Sequence, residues 1–118
     1  YDMETAKAMY KAGRYLYVVF MCHLAIEKIL KALLAHKYPD DIPPKIHNLI
    51  NLAQRAEITP PGELKDFFQR IDNVSIVTRY PEDLKTLSKE FNKDMAKLIL
   101  ADTKRMIKWL KLRLKSAA

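Results

Sequence analysis

Residues Tyr15 to His36 form a strongly apolar stretch that contains neither glycine nor proline. A helix that is apolar on most of its sides belongs in the centre of a protein. The first half of the stretch could also form a buried strand. Its length and its second half, rich in alanine, leucine and lysine, favour a helix. We therefore predict a central helix from about Arg14 to about Lys37.

Apolar residues recur at helical spacing in the rest of the chain, which predicts four further helices. They cover residues 2–12, about 47–56, 59 to the mid-70s, and about 88–115. Gly13 is expected to adopt the left-handed conformation that ends a helix. Residues 38–45 are rich in proline and are expected to form a loop. The predicted fold is all-α, an antiparallel (up-and-down) helical bundle of about five helices in one domain, residues 1–118.

Capping residues predict where the last two helices start. Thr59 is expected to cap the fourth helix, with Pro60 in its first turn. Residues 74–81 are interpreted as the end of that helix passing into an extended connector. Pro81 disfavours the helical conformation for Tyr80, the residue before it. Ser88 is expected to cap the last helix.

The apolar stripes predict which side chains form the core. On the central helix and its neighbours they are Phe20, Leu24, Ile29, Leu30 and Leu33, beside Phe67, Phe91 and Leu98. The inward stripe of the last helix is predicted to be Phe91, Met95, Leu98, Ile99, Met106, Trp109 and Leu110.

Composition narrows the class of protein. Hydrophobic residues make up 49% and charged residues 30%, which is typical of a globular protein. The net charge of +7 favours anionic partners such as nucleotides, RNA or an acidic protein surface. A single cysteine and no signal peptide pattern predict a cytoplasmic protein. The chain begins at Tyr1 in a helix-like pattern, so we expect that upstream residues are missing.

Polar residues on the central helix lie along one line, since His23, Glu27 and Lys31 are spaced four apart. Glu27 precedes Lys31 in the favourable orientation for a helical ion pair. The line predicts either a binding site, to which Lys28 would contribute, or simply the wetted edge of the helix. A glutamate and two lysines at this position argue against a membrane-spanning helix.

The last helix carries a run of basic residues that contains no acidic residue. They are Lys104, Arg105, Lys108, Lys111, Arg113 and Lys115. One interpretation is complementation of the helix dipole together with solubility. The other is a surface for phosphates or an anionic partner.

No known catalytic or metal-binding motif occurs in the chain. It lacks a glycine-rich phosphate loop, a cysteine pair and a His-Glu-x-x-His helix, and its three histidines have no metal-ligand spacing. Cys22 lies in the central apolar stretch and is predicted to be buried. We therefore predict no catalytic residue, no metal and no cofactor.

Several segments together resemble one family. Gly13-Arg14-Tyr15 followed by Ala25-Ile26-Glu27-Lys28-Ile29-Leu30-Lys31-Ala32-Leu33-Leu34 is similar to the opening of a HEPN domain, the higher eukaryote and prokaryote nucleotide-binding domain. His47-Asn48-Leu49-Ile50-Asn51-Leu52 resembles the start of that family's third helix. Arg79-Tyr80-Pro81-Glu82 resembles its Arg-Tyr-Pro-acidic motif, and the helix with Trp109-Leu110 resembles its last helix.

The resemblance implies a bundle of about five helices that forms a homodimer. It also implies a separate minimal nucleotidyltransferase as protein partner, in prokaryotic stress, toxin–antitoxin or defence systems. The ligand-binding residues that we expect on this basis are Glu27, Lys28, Lys31, His47, Arg79 and Tyr80. A packing or capping role remains the alternative for His47, and a rigid turn the alternative for Arg79 and Tyr80. A basic surface of Lys104, Arg105, Lys108 and Lys111 is a further candidate.

One feature of the family's ribonucleases is absent. These enzymes use an arginine followed by a histidine five to seven positions later, and no arginine of this chain has one. The sixth position after Arg79 is Lys85, and a lysine is a poor general base at neutral pH. We therefore favour a non-catalytic, nucleotide- or substrate-binding module. The alternatives are a ribonuclease toxin and a generic basic helical interaction domain.

The purified protein is accordingly expected to leave a mixed pool of single-stranded RNA intact in the presence of EDTA. Gel analysis of the RNA after incubation tests this directly. Cleavage that persists in EDTA and disappears in Arg79→Ala would contradict the prediction.

Overall fold

The computed structural model describes residues 2–41, 48–77 and 92–117, and side chains within 2–41, 48–73 and 92–116. These residues form five helices and no strand, which confirms the predicted all-α bundle. The helices are α1 (Asp2–Lys11), α2 (Tyr15–Lys37), α3 (Leu49–Arg55), α4 (Gly62–Val77) and α5 (Lys93–Ala117).

Helix α1 ends at the predicted glycine. Gly13 has φ +75°, and the N–H of Arg14 donates to the carbonyl of Met9 at 2.8 Å. This is the bonding pattern of a helix that ends in a left-handed residue. The tight turn brings the rings of Tyr10 and Tyr15 to a centroid distance of 5.9 Å, and α2 packs back along α1, with Asp2 at the start of α1 paired to Lys28 of α2.

Helix α2 lies at the centre of the bundle and contacts each of the other four described helices. Leu30 and Phe67, both predicted core residues, are fully buried, and Leu33 is also buried. Ile29 is partly buried against them. The remaining buried side chains of α2 include Val18, Val19, Cys22, Ala25, Ile26 and Leu34.

The predicted core was wrong at two positions of α2. Phe20 and Leu24 are only half-buried, and Tyr17, three residues before Phe20, is 53% exposed. Because α2 is apolar on nearly every side, periodicity alone could not show which of its faces the other helices cover. The uncovered face keeps large apolar side chains at the surface.

The predicted inward stripe of α5 was partly wrong. Met95 is 41% exposed and Leu98 is 60% exposed, whereas Ile99, Met106 and Leu110 are buried as predicted. Trp109 is partly buried, and Phe91 lies outside the described residues. The observed stripe also includes Ala96, Leu100, Thr103 and Ile107. Because Ala96 and Thr103 are small or polar, the pattern of large apolar residues did not show which face of the helix is buried.

The predicted start of α4 differs from the structure. Helix α4 begins at Gly62, and the carbonyl of Pro61 accepts the N–H groups of Leu64 and Lys65. Pro60 precedes another proline, which disfavours the helical conformation there, so the helix starts later than predicted.

At the start of α5, the side chain of Asn92 accepts the N–H of Met95 at 3.0 Å. Asn92 is therefore the cap of the described helix. The predicted cap Ser88 lies outside the described residues. Helix α4 runs to Val77, and the predicted extended connector beyond it also lies outside them.

Leu30→Ala is expected to lower the free energy of unfolding by about 2–5 kcal/mol, since the side chain is fully buried. Leu98→Ala is the matched control and should change it by less than about 0.5 kcal/mol, because Leu98 is exposed. Urea denaturation of both variants measures the difference. Equal effects would show that the core is misplaced.

Candidate functional site

A buried carboxylate joins three helices of the bundle. Asp72 of α4 accepts a hydrogen bond from Nε2 of His23 on α2, at 3.0 Å. The same carboxylate accepts the backbone N–H groups of Leu49 at 3.0 Å and Ile50 at 3.3 Å, in the first turn of α3. Both Asp72 and His23 are buried. An ionised carboxylate only accepts hydrogen bonds, so Nε2 of His23 carries the proton.

Asp72 supplies hydrogen-bond acceptors to the first turn of α3. The first N–H groups of a helix have no acceptor within it, and negative charge near them is favourable. The side chain of Asn48 accepts the N–H of Asn51 at 2.8 Å. Asp72 accepts the N–H groups of the two preceding residues, Leu49 and Ile50. The α2–α4 junction is therefore tied to the start of α3 by charge-assisted hydrogen bonds.

Sequence reasoning missed Asp72, although a signal was present. The residue stands four positions after Phe68 and directly after Ile71, on the apolar face of α4. An acidic residue inside an apolar stripe requires a polar partner when it is buried. That rule would have paired Asp72 with a polar residue such as His23 on the central helix.

The polar line of α2 is not a wetted edge, since His23 and Glu27 are both buried. The predicted helical ion pair is present, with Nζ of Lys31 at 3.9 Å from Glu27. Lys28 is exposed and pairs with Asp2 of α1 at 2.9 Å. The line therefore runs from the buried His23 outward to Lys31 at the surface.

The predicted buried position of Cys22 is confirmed. Burial raises the pKa of the Cys22 thiol to about 11, although the Thr103 hydroxyl and the positive charge of Lys104 oppose the shift. A protonated thiol in a closed core is a packing residue and not a nucleophile.

Three residues of the predicted ligand site cannot be placed. His47, Arg79 and Tyr80 lie outside the described residues. Of the predicted ligand site, the structure brings together Glu27 and Lys31, and it ties Lys28 to α1.

The predicted basic surface of α5 is exposed. Arg105 pairs with Glu63 of α4 at 3.1 Å and approaches Asp102 at 3.8 Å. Lys104, Lys108 and Lys111 form no ion pair with residues that the structure describes. The guanidinium of Arg113 lies 4.6 Å from the ring centroid of Trp109, a cation–π contact.

The described part of the chain contains neither a metal-binding cluster nor a membrane-spanning helix. No group of three or more histidine, cysteine, aspartate or glutamate side chains is arranged there to hold a metal ion. None of the helices found there combines the length and apolarity that crossing a membrane requires.

The fold and this site define a class, a basic helical bundle in which a buried histidine of the central helix pairs with a carboxylate of a neighbouring helix. The family model of the HEPN domain matches residues 1–114. The chain therefore belongs to the HEPN domain family. Neither the curated proteins nor the solved structures with which the chain was compared gave a match.

Asp72→Ala is expected to lower the free energy of unfolding by about 3–5 kcal/mol, because it leaves buried donors without an acceptor. Asp102→Ala removes a partly exposed ion-pair partner and should cost about 0–1 kcal/mol. Chemical denaturation of both variants gives the comparison.

A double-mutant cycle of Asp72→Ala with His23→Ala should show a coupling of about 0.5–3 kcal/mol. Additive effects of the two substitutions would contradict a direct interaction between them.

Proposed function

We propose that this chain is a non-catalytic HEPN module that binds a nucleotide or a related anionic substrate as a homodimer, for a separate nucleotidyltransferase. The observation that supports it best is the uncovered face of α2. Tyr17, Phe20 and Leu24 stand at helical spacing on that face, and the rings of Tyr17 and Phe20 lie 6.1 Å apart. Exposed apolar patches of this kind mark interfaces.

The same face becomes basic toward the other end of α2. Lys28 and Lys31 continue the spacing of Leu24 at intervals of four and three residues. If two copies pack through the apolar part, their lysines flank one groove, as expected for an isologous interface. Such a groove gathers positive charge from two chains of +7 each, and a bound anion would relieve the repulsion.

Within the proposed groove the residues have different roles. Lys31 is held only loosely by Glu27, at 3.9 Å, so it is able to turn toward a phosphate. On ligand binding, Lys28 would break its ion pair with Asp2 and pair with the ligand instead. In this proposal Arg79 contributes to phosphate binding, Tyr80 stacks on the base and His47 completes the site. A ribonuclease toxin is the alternative function. It is less favoured because no histidine stands at the required spacing from any arginine of this chain.

Sedimentation equilibrium with and without ATP, at fixed ionic strength, tests the proposal. We expect a dimer that ATP strengthens, by about 2.7 kcal/mol at a hundredfold excess over the dissociation constant. Tyr17→Glu should weaken the dimer, and Tyr38→Glu, the same change at another exposed tyrosine, should not.

A monomer under both conditions would contradict the dimer. A dimer that ignores ATP, with calorimetry that detects no binding, would contradict the groove. It would leave the generic interaction domain as the better description.

A further inference from the structure

Four lysines form a continuous stripe along the outer side of α5. Lys104, Lys108, Lys111 and Lys115 are separated by four, three and four residues, the spacing of one helix face. All four are exposed, and none forms an ion pair within the described residues. We call these residues the lysine stripe.

Two acidic residues of α4 and α5, Glu63 and Asp102, are already paired with arginines. Glu63 pairs with Arg105, and Asp102 pairs with Arg70 at 3.1 Å and approaches Arg105. No acidic residue occurs between positions 104 and 115. The stripe is therefore a region of positive charge that the described part of the chain does not neutralise.

The helix dipole does not account for the whole stripe. Its favourable interaction with cations falls off within the last turn of a helix. Helix α5 runs to Ala117, so Lys115 in its last turn interacts favourably with the helix dipole. Lys104 and Lys108 lie two or more turns earlier. For the lysines at those positions, solubility and an anionic partner are the two remaining explanations.

An apolar floor runs beside the lysine stripe. Met3, Ile107 and Leu112 line a shallow cavity of about 400 Å³ whose rim is formed by the four lysines. Leu112 also lines a second cavity, of about 370 Å³, together with Pro61, Leu64 and Trp109; its charged lining residues are Lys108 and the ion pair of Glu63 with Arg105. Leu112 is 55% exposed and stands between the two cavities.

This combination of charge and apolar surface discriminates between anionic partners. A nucleic acid backbone presents phosphates and sugars, which would satisfy the lysines but leave the apolar floor uncovered. An amphipathic helix covers both, since its apolar residues at i, i+3, i+4 and i+7 fill a groove while its acidic residues face the rim. The lysine stripe spans about 16 Å, which is about three turns of such a helix.

We propose that the lysine stripe and the two cavities beside Leu112 dock an acidic amphipathic helix of a partner protein. One apolar side chain of the partner enters each cavity, and its carboxylates pair with the lysines. This surface shares no residue with the α2 groove, so it is a second interface of the protein.

The test is fluorescence anisotropy with a labelled peptide of about 14 residues that places leucines on one helix face and glutamates beside them. The reference probes are a peptide of the same composition in shuffled order and a labelled oligouridylate. We expect the amphipathic peptide to bind at least about tenfold more tightly than either reference, a difference of about 1.4 kcal/mol.

Variants then locate the binding surface. Lys104→Gln/Lys108→Gln/Lys111→Gln should weaken binding of the amphipathic peptide about tenfold or more. Lys65→Gln/Lys93→Gln/Lys97→Gln removes the same charge from exposed positions elsewhere and should have an effect below about threefold. Leu112→Asn should also weaken binding. Because Leu112 is exposed, this variant should keep the fold, which circular dichroism verifies.

Three results would overturn the proposal. Equal effects of the two triple variants would show a response to net charge alone. An unchanged affinity in Leu112→Asn would show that the apolar floor takes no part. Tighter binding of the oligouridylate than of the amphipathic peptide would assign the lysine stripe to nucleic acid.

Discussion

The carboxylate of Asp72 is the interaction on which the arrangement of the central helices depends. It replaces the acceptors that the first turn of α3 lacks, and it holds the imidazole of His23 on α2. Hydrogen bonds to a charged group contribute more than neutral ones, but a buried carboxylate is favourable only when its donors are all in place. The junction therefore requires all three helices in one arrangement, and this fixes where α3 begins relative to the polar line of α2.

A bundle of this size leaves some helix faces uncovered, and these faces carry the proposed functions. Helix α2 is apolar on more sides than its neighbours cover, so Tyr17, Phe20 and Leu24 remain at the surface beside Lys28 and Lys31. Helix α5 has its buried stripe on one side and the lysine stripe on the flank next to it. In both helices an apolar surface adjoins unneutralised or loosely held lysines, which is the composition that suits anionic partners.

Much of the fold follows from the sequence because helical periodicity is a strong local signal. The central helix, the glycine that ends α1 and the burial of Leu30, Phe67 and Cys22 were all predicted in this way. The errors arose where periodicity is uninformative. In α2 all faces are apolar, which misplaced Phe20 and Leu24. In α5 the consecutive residues Leu98, Ile99 and Leu100 fit two phases. The junction at Asp72 depends on contacts between residues 49 positions apart, which local patterns do not contain.

The most direct test of this account is amide hydrogen exchange of Leu49 and Ile50, followed by NMR. The first amides of a helix normally exchange fast, because they lack acceptors within the helix. We expect both amides to be protected in the native protein and to lose that protection in Asp72→Asn, with the imidazole of His23 observed as the Nε2–H tautomer. Fast exchange at Leu49 and Ile50 in the native protein would contradict the account, since it would show that Asp72 does not hold the start of α3.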